Sequence, residues 1–503
     1  MKWIKIIALF VGCSPLLLTA QPGFNLSPPQ DYPKAHFRNM TLHNDTIVGY
    51  GMAFSDTVEW RQGLFVAKFD SLGNQLASTL ILDSLGAALS MDKHYGKITI
   101  TTDGGYVLTA APLGRRSAIL AKLNCDLQLE FIHEYSDTIN LSQYDYKNPV
   151  EIKDGYLLYG DIQRPNYFND SFVRRVDKQG NTIWFKYYGD YDLQDGFNNL
   201  QAINDSVFAA CSVVQSSPQS GSSRIVYLDL NGNVLRQWQS EENPEIGFLR
   251  NIIPTSDGGL ITYGIYLKEI IWSTLIMQPT LAKLDSNFQV QWVKHFGRAA
   301  SLNAMINLRD FKPTADGNYI AAGETVIEEG PSGTHRVGWL YKFSPQGDSI
   351  WSKHLFPPIG AEYPIRGYFG GVGELSSGSI VAGGAAYEGN DFYPWLVKVD
   401  AKGCLEEPCP MLSPVAGPAA REEAIRLFPN PNKGQFRLSW AQAPVGERAR
   451  CTIFDAQGRA VWREERQAVA QMEIDAPGLP PGFYMLEVRT GGRRWVGKVV
   501  VER

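Results

Sequence analysis

Cysteine is scarce in this 503-residue chain, at six residues, and no Cys-x-x-Cys pair or Cys/His cluster occurs, so a zinc module is not expected. Histidine is nearly as rare, at seven. No Gly-x-Ser-x-Gly elbow, His-Glu-x-x-His helix or Gly-x-x-x-x-Gly-Lys loop is present, which removes common signatures of serine hydrolases, zinc peptidases and nucleotide binders. Basic charge is short as well. Residues 421–503 hold 14 Lys+Arg against 10 Asp+Glu and residues 1–20 hold two lysines; with a formal net charge of -5, about -11 remains on residues 21–420. A body so acidic makes a poor track for nucleic-acid phosphates. Beyond residue 20, no segment approaches the ~18–20 uninterrupted apolar residues of a membrane helix.

What is there is aromatic and turn-rich. With 44% apolar and 20% charged residues the chain can bury several cores, and 48 Gly, 29 Pro, 12 Trp, 23 Tyr and 24 Phe suit short strands joined by tight turns. Residues 1–20 read as a signal peptide: Lys2 and Lys5 precede an apolar run from Ile6 to Leu18, and Leu18-Thr19-Ala20 offers a cleavage site before Gln21. A rival cut before Cys13, giving a lipoprotein, shortens the apolar stretch and fits a lipid-anchor box poorly. The mature chain is therefore expected beyond the inner membrane, in an oxidising compartment where Cys404 and Cys409 pair across a short loop. Cys125, Cys211 and Cys451 stand singly in apolar runs, where a buried thiol is the usual occupant.

Self-similarity organises residues 21–409. One unit, apolar-Lys-apolar-Asp followed by a turn and an aromatic, ends at Asp70, Asn124, Asp177, Asp229, Asp285, Ser344 and Asp400, with spacings of 54, 53, 52, 56, 59 and 56. Glycine stands three residues later in five copies, at Gly73, Gly180, Gly232, Gly347 and Gly403, as a hairpin turn needing positive φ would have it. A second unit, an Asp-Gly-type turn followed by an apolar strand, starts at Asp45, Asp103, Asp154, Asp205, Asp257, Asp316 and Ser377. Seven alternations of two hairpin signals give seven four-stranded antiparallel units, the pattern of a seven-bladed β-propeller. A pair of β-sandwiches would not give equal spacing. The seventh unit lacks a fourth strand, and Phe24 to Ser27 is the segment expected to supply it. These repeats resemble the Asp-Gly-Gly-Tyr and Lys-Leu-Asp-x-x-Gly-Asn-x-x-Trp repeats of large secreted proteins of gliding Gram-negative bacteria. They differ from the WD40, kelch and sialidase boxes.

After a Pro/Gly/Ala-rich linker at 410–426, residues 427–503 alternate in short strands that read as a small Ig-like β-sandwich, making the whole chain all-β. Pro429-Asn430-Pro431 with Gly434, Asp455-Ala456-Gln457-Gly458-Arg459, and Pro481-Gly482-Phe483-Tyr484 occur in the order and spacing of a known family. The module resembles the type A C-terminal sorting domain of the type IX secretion system. That resemblance implies export, recognition of residues 427–503 by the secretion machinery, and removal of the module with attachment of the cargo to surface lipopolysaccharide.

Chemistry is sparse by comparison. His295 and His354 follow Trp292 and Trp351 by three residues, as Tyr187 follows Trp184, so they read as equivalent strand positions; the Trp residues, with Phe131, read as blade-packing aromatics. Asp190, Asp192, Asp195 and Gly196 suggest a calcium loop but depart from its spacing and lack its terminal Glu, so an acidic loop is the expectation. Asp followed by Ser or Thr and an aliphatic residue recurs at Thr46, Thr57, Ser71, Ser84, Thr138, Ser206 and Ser349, resembling the O-glycosylation acceptor of such bacteria; turn chemistry enriches the same dipeptides. No catalytic residue, cofactor or metal ligand is assigned. The expected function is a non-enzymatic binding or adhesion module for glycans or proteins. The alternatives are a polysaccharide hydrolase or lyase on the same scaffold and a structural surface spacer.

Overall fold

The computed structural model describes residues 23–28, 31–55, 61–90, 98–136, 143–163, 168–189, 192–217, 220–242, 244–271, 274–296, 300–301, 307–328, 334–358, 366–389, 391–405, 425–439, 446–455, 460–490 and 493–502. The signal segment, most of the linker, Cys409, Thr57, Thr138, Asp190 and the tip of the Asp455–Arg459 hairpin with Gly458 lie outside them. The chain divides into two compact units, Met1–Glu406 and Glu407–Arg503.

The first unit is a seven-bladed β-propeller. Six blades are consecutive antiparallel meanders of four main strands at 35–81, 89–136, 143–187, 194–239, 248–295 and 307–355, with strands A to D running from the innermost outward; strand A is in two pieces in blades 2 and 3, and the short strand Ala300–Ser301 also pairs in blade 5. The seventh takes strands A to C from 366–399 and its outer strand from Phe24–Leu26, which pairs antiparallel with the strand Asp391–Val399. The ends of the ring are thus joined by one sheet, as the missing fourth strand required. Trp395 Nε1 donates to Asn25 Oδ1 at 2.7 Å, and Asn25 Nδ2 donates to the Phe356 carbonyl at 2.9 Å.

The two sequence repeats meet physically within blades 2, 3, 5 and 6. The Asp of the A–B turn and the Lys of strand C pair at 3.0 Å in blade 2 (Lys122–Asp103), 2.8 Å in blade 5 (Lys283–Asp257) and 2.7 Å in blade 6 (Lys342–Asp316), and Arg175–Asp154 does the same at 2.7 Å in blade 3. These lysines are buried along their stems while the carboxylates stay about half exposed, so the pair ties a turn to a blade interior. Lys398 instead donates to the Ser71 carbonyl of blade 1 at 2.9 Å.

The C–D turn joins neighbouring blades. Asp70 accepts from the amides of Leu72 and Asn74 at 2.9 Å each, and Asp177, Asp229 and Asp285 repeat this two-amide cap. Onto three of the following turns packs the preceding blade's Trp: Trp184 Nε1 donates to the Leu230 carbonyl at 3.2 Å, Trp292 to Pro345 at 3.1 Å and Trp351 to Ala401 at 3.1 Å. The turn glycine keeps room for the indole, since a methyl on Gly347 would lie 2.8 Å from Trp292. Phe24 and Leu26 meet Gly73 in the same way, so the closing strand takes the tryptophan's place. Leu127 (φ 62) and Phe288 (φ 64) hold the left-handed position in the two glycine-free copies because their side chains fill the blade cores.

The second unit is a sandwich of a three-stranded sheet (Arg426–Phe428, Gln435–Ser439, Gln471–Asp475) on a four-stranded one (Arg448–Phe454, Ala460–Gln467, Gly482–Thr490, Arg493–Val501). Phe436, Leu438, Cys451, Ile453, Met472, Leu486, Val488, Trp495 and Val499 close its core. Alternating burial in Gln435–Ser439 and Gln471–Asp475 shows one face wet and one dry.

Candidate binding site

Antiparallel blades put two kinds of connection on opposite faces of the ring. The short, repeated A–B and C–D turns share one face; the B–C and D–A connections, irregular in sequence and length, share the other. Strand A starts at that irregular face and carries a β-bulge near its start. The extra residue is Arg38 in blade 1, Asn198 in blade 4, Arg250 in blade 5, Arg309 in blade 6 and Gly370 in blade 7, as the register shifts show. In blade 3 the pairing skips Lys147, Asn148 and Pro149 between Tyr146 and Val150. Bulges of this kind re-aim a side chain out of the ladder.

Each bulge residue stands seven positions before its A–B turn residue, a third repeat that the sequence reading missed. Its types vary: Arg38, Lys147, Asn198, Arg250, Arg309 and Gly370, with Gly96 of blade 2 outside the described residues. None is acidic. A fixed offset ahead of Asp45, Asp154, Asp205, Asp257, Asp316 and Ser377 was the signal that could have found them.

Two of the arginines converge on blade 7. Arg309 lies over the Tyr368 ring at 4.1 Å, and Arg38 Nη1 donates to Tyr368 Oη at 3.4 Å. Glu324 accepts from Arg309 Nη2 at 3.0 Å and lies 3.6 Å from Arg336 Nη1, so one buried carboxylate faces two guanidinium groups. Tyr387 stands 6.2 Å from Tyr368, and burial, then Tyr368 itself, push its phenol pKa up against the opposing pull of Arg38 and Arg309. It stays a protonated donor. Arg38 Nε and Arg250 Nε are buried without a hydrogen-bond partner. His36, beside Arg38, is pushed down to about 3 by burial and by that guanidinium, and remains neutral. Gly370 and Gly371 admit the blade 1 backbone: a methyl on either would strike the Arg38 or Met40 carbonyl.

Blades 3 and 4 offer the contrast. Lys147 pairs with Asp161 at 3.1 Å, and Arg174 donates to Tyr146 Oη at 3.1 Å while covering Phe185 at 4.5 Å. Asp195, from the calcium-like pattern, is turned inward: it accepts from Ser171 N at 2.8 Å and lies 3.6 Å from Arg224. Asp192 is exposed and apart from it, and no group of three metal-ligating side chains occurs among the described residues. A cavity of about 240 Å³ opens elsewhere on blade 4, lined by Leu193, Val214, Gly221, Ser222, Gln239, Ser240 and Glu242.

The other expected residues fall into place as follows. His295 accepts or donates to Thr280 Oγ1 at 2.8 Å across the sheet, and His354 pairs opposite Trp339. Of the Asp-Ser/Thr sites, Ser84, Ser206 and Ser349 are exposed and Thr46 and Ser71 half-buried. Cys211 and Cys451 are buried free thiols as expected, whereas Cys125, in the C–D turn of blade 2, is a free thiol that is exposed. In the sandwich, Asn430 works as a strand surrogate: its Nδ2 donates to the Lys498 carbonyl and its Oδ1 accepts from Val500 N, both at 2.7 Å. Asn432 Oδ1 accepts from Gly434 N at 2.7 Å, Asn432 N donates to the Val500 carbonyl at 2.9 Å, and Tyr484 Oη donates to the Pro480 carbonyl at 2.7 Å. The motif and the closing strand thus form one surface, with a hollow of about 310 Å³ lined by Pro429, Pro431, Asn432, Lys433, Gln435 and Glu502.

Residues 426–502 match the family model described as a secretion system C-terminal sorting domain. This marks the protein as exported by type IX secretion to the cell surface or the medium, and as one that engages the type IX machinery. No curated protein matches the chain. Among solved structures, the GH93 alpha-L-arabinofuranosidase of Fusarium graminearum with arabinobiose is 10% identical over 77% of this chain and 99% of its own, with a TM-score of 0.39. The NanB sialidase from Streptococcus pneumoniae is 11% identical over 76% of this chain and 71% of its own, with a TM-score of 0.39. A subtype N11 neuraminidase-like protein of influenza A/flat-faced bat/Peru is 10% identical over 75% of this chain and 98% of its own, at 0.36.

Proposed function

We propose that the propeller is a non-enzymatic binding module, displayed on the cell surface or released, that recognises glycans or proteins through its irregular face. The observation that carries this reading is the ring of bulged residues on the inner strands, basic at Arg38, Lys147, Arg250 and Arg309 and acidic at none, on a body of about -11. A rigid ring holds the inner strands fixed while the connections on that face vary freely. Retention of the secreted protein on immobilised polysaccharides or extracellular matrix proteins tests it, and absence of retention on every surface refutes it.

The finer steps of export belong to the same reading. The secretion machinery takes residues 427–503 through the motif residues Pro429, Asn430, Pro431, Gly434, Gly482 and Tyr484, with Gly458 outside the described residues, then removes the module and joins the cargo to lipopolysaccharide. The Cys404–Cys409 bridge closes the last propeller turn, where Cys404 is buried. O-glycans occupy the exposed Ser84, Ser206 and Ser349. Intact mass of the mature protein reports all three: loss of the module, two hydrogens fewer than the reduced form, and added hexose mass. A bare, full-length, reduced mass would refute them together.

A further inference from the structure

We propose that the sector formed by Arg38, Arg309, Tyr368 and Tyr387, extended by Arg250 on the adjoining blade, binds the carboxylate of an acidic saccharide. The inference rests on the binding-module reading above and narrows it to a place and a ligand class. The four side chains come from blades 1, 6 and 7, and with Arg250 they span the consecutive blades 5, 6, 7 and 1. Guanidinium groups offer planar paired donors that match a carboxylate. Glu324 offsets Arg309 and Arg336, at 3.0 and 3.6 Å, and no described carboxylate pairs with Arg38, whose contact is the Tyr368 hydroxyl at 3.4 Å.

Two buried guanidinium nitrogens left unmated, Arg38 Nε and Arg250 Nε, are costly unless something accepts from them. Elsewhere on the inner ring the same structural position is neutralised internally, as Lys147 is by Asp161 at 3.1 Å. Unmated guanidinium Nε atoms also occur at Arg115, Arg175 and Arg224, but among the basic residues described at the bulge position Arg38 and Arg250 are the two that face no described carboxylate, and both stand in this sector. The surroundings favour a sugar acid over a peptide. Exposed apolar side chains of the ring stand on the outer D strands, as Leu76 and Val290 do, on connections, as Leu85 and Phe356 do, and at the end of the strand Leu260–Ile271, as Ile270 does, whereas the sector itself offers phenol and guanidinium donors.

The test is calorimetric titration of the secreted protein with a galacturonate trisaccharide, with maltotriose as the neutral sugar and sulfate as the simple anion. Arg38→Met and Arg250→Met keep the stem and remove the charge, and both leave the Arg309–Glu324 pair intact. Binding of the galacturonate trisaccharide that weakens about tenfold or more in R38M, with little response to sulfate, is expected. Equal affinity for maltotriose, unchanged affinity in both variants, or no binding of the trisaccharide overturns the assignment. Equal competition by sulfate overturns the saccharide and leaves a bare anion site. Failure here alongside retention on other glycans or proteins refutes the sector and spares the binding-module reading; failure on every surface refutes both.

Discussion

Gly347 and Gly317 lie in the same blade, share nearly the same backbone angle (φ +77 and +79) and differ in what stands over them. A methyl at Gly317 meets nothing within 4 Å, whereas one at Gly347 lies 2.8 Å from Trp292 Cζ3 and 2.9 Å from Lys294 Cγ. Alanine in the left-handed region costs about 1–2 kcal/mol at either position. Overpacking adds about 1–3 kcal/mol where the neighbour is fixed, and the Trp292 indole is held by its 3.1 Å hydrogen bond to Pro345. Gly317→Ala is therefore expected to cost about 1–2 kcal/mol and Gly347→Ala about 2–5 kcal/mol. Guanidinium denaturation of the purified protein followed by tryptophan fluorescence reads the difference as a shift in midpoint. In a Trp292→Ala background the Gly347→Ala penalty should fall to that of Gly317→Ala. Equal penalties in the parent chain, or no relief in that background, would refute the claim that the turn glycine exists to admit the neighbouring blade's indole.

Three further outcomes follow from the same geometry. Hydrogen bonds from Thr101, then the Gly105 amide and then Lys122 hold the Asp103 carboxyl down to about 2, and the Lys283 and Lys342 ammonium groups hold Asp257 and Asp316 lower still. A depressed folded-state pKa gives stability that is present above the ordinary Asp value of about 4 and is lost as pH falls through the folded value. Melting temperature should thus decline between about pH 4 and 2, and Lys283→Met should flatten part of that decline, modestly because the carboxylates are half exposed. Asn25→Ala removes two hydrogen bonds at the ring closure and should cost about 1–3 kcal/mol, read as a lower thermal midpoint; an unchanged midpoint would mean that Phe24–Leu26 does not hold the ring. Asn430→Ala unpins the motif from the final strand and should leave cargo inside the cell, as cell fractionation would show; normal export would refute a role for that surface.

Much of the architecture was legible because the fold repeats its solutions. Lys283 and Asp257 recur as spaced letters since blades 2, 5 and 6 tie the A–B turn to the interior in the same way, and Gly232 and Gly347 recur because each admits the preceding blade's indole. The gap after Asp400 foretold that Phe24–Leu26 closes the ring. The candidate site was not legible, for a physical reason: a bulge fixes where the chain leaves the ladder and leaves the side chain free to vary, so Arg38, Asn198 and Gly370 share a position and no chemistry. Convergence of Arg38 and Arg309 on Tyr368 depends on ring closure, which joins residues 330 apart in sequence. Asp195 shows the reverse error of spacing, since its carboxylate serves Ser171 and Arg224 in the interior and stands apart from the exposed Asp192.

The central claim is that the ring recognises without converting, and one measurement addresses both halves. The secreted protein is incubated with immobilised polysaccharides and matrix proteins, and protein retained and soluble saccharide or peptide released are quantified from the same wells. The account predicts retention on at least one acidic polysaccharide, diminished by Arg38→Met, with no product above that of heat-denatured protein. Release of product that scales with protein concentration would contradict it and assign the irregular face to an enzyme.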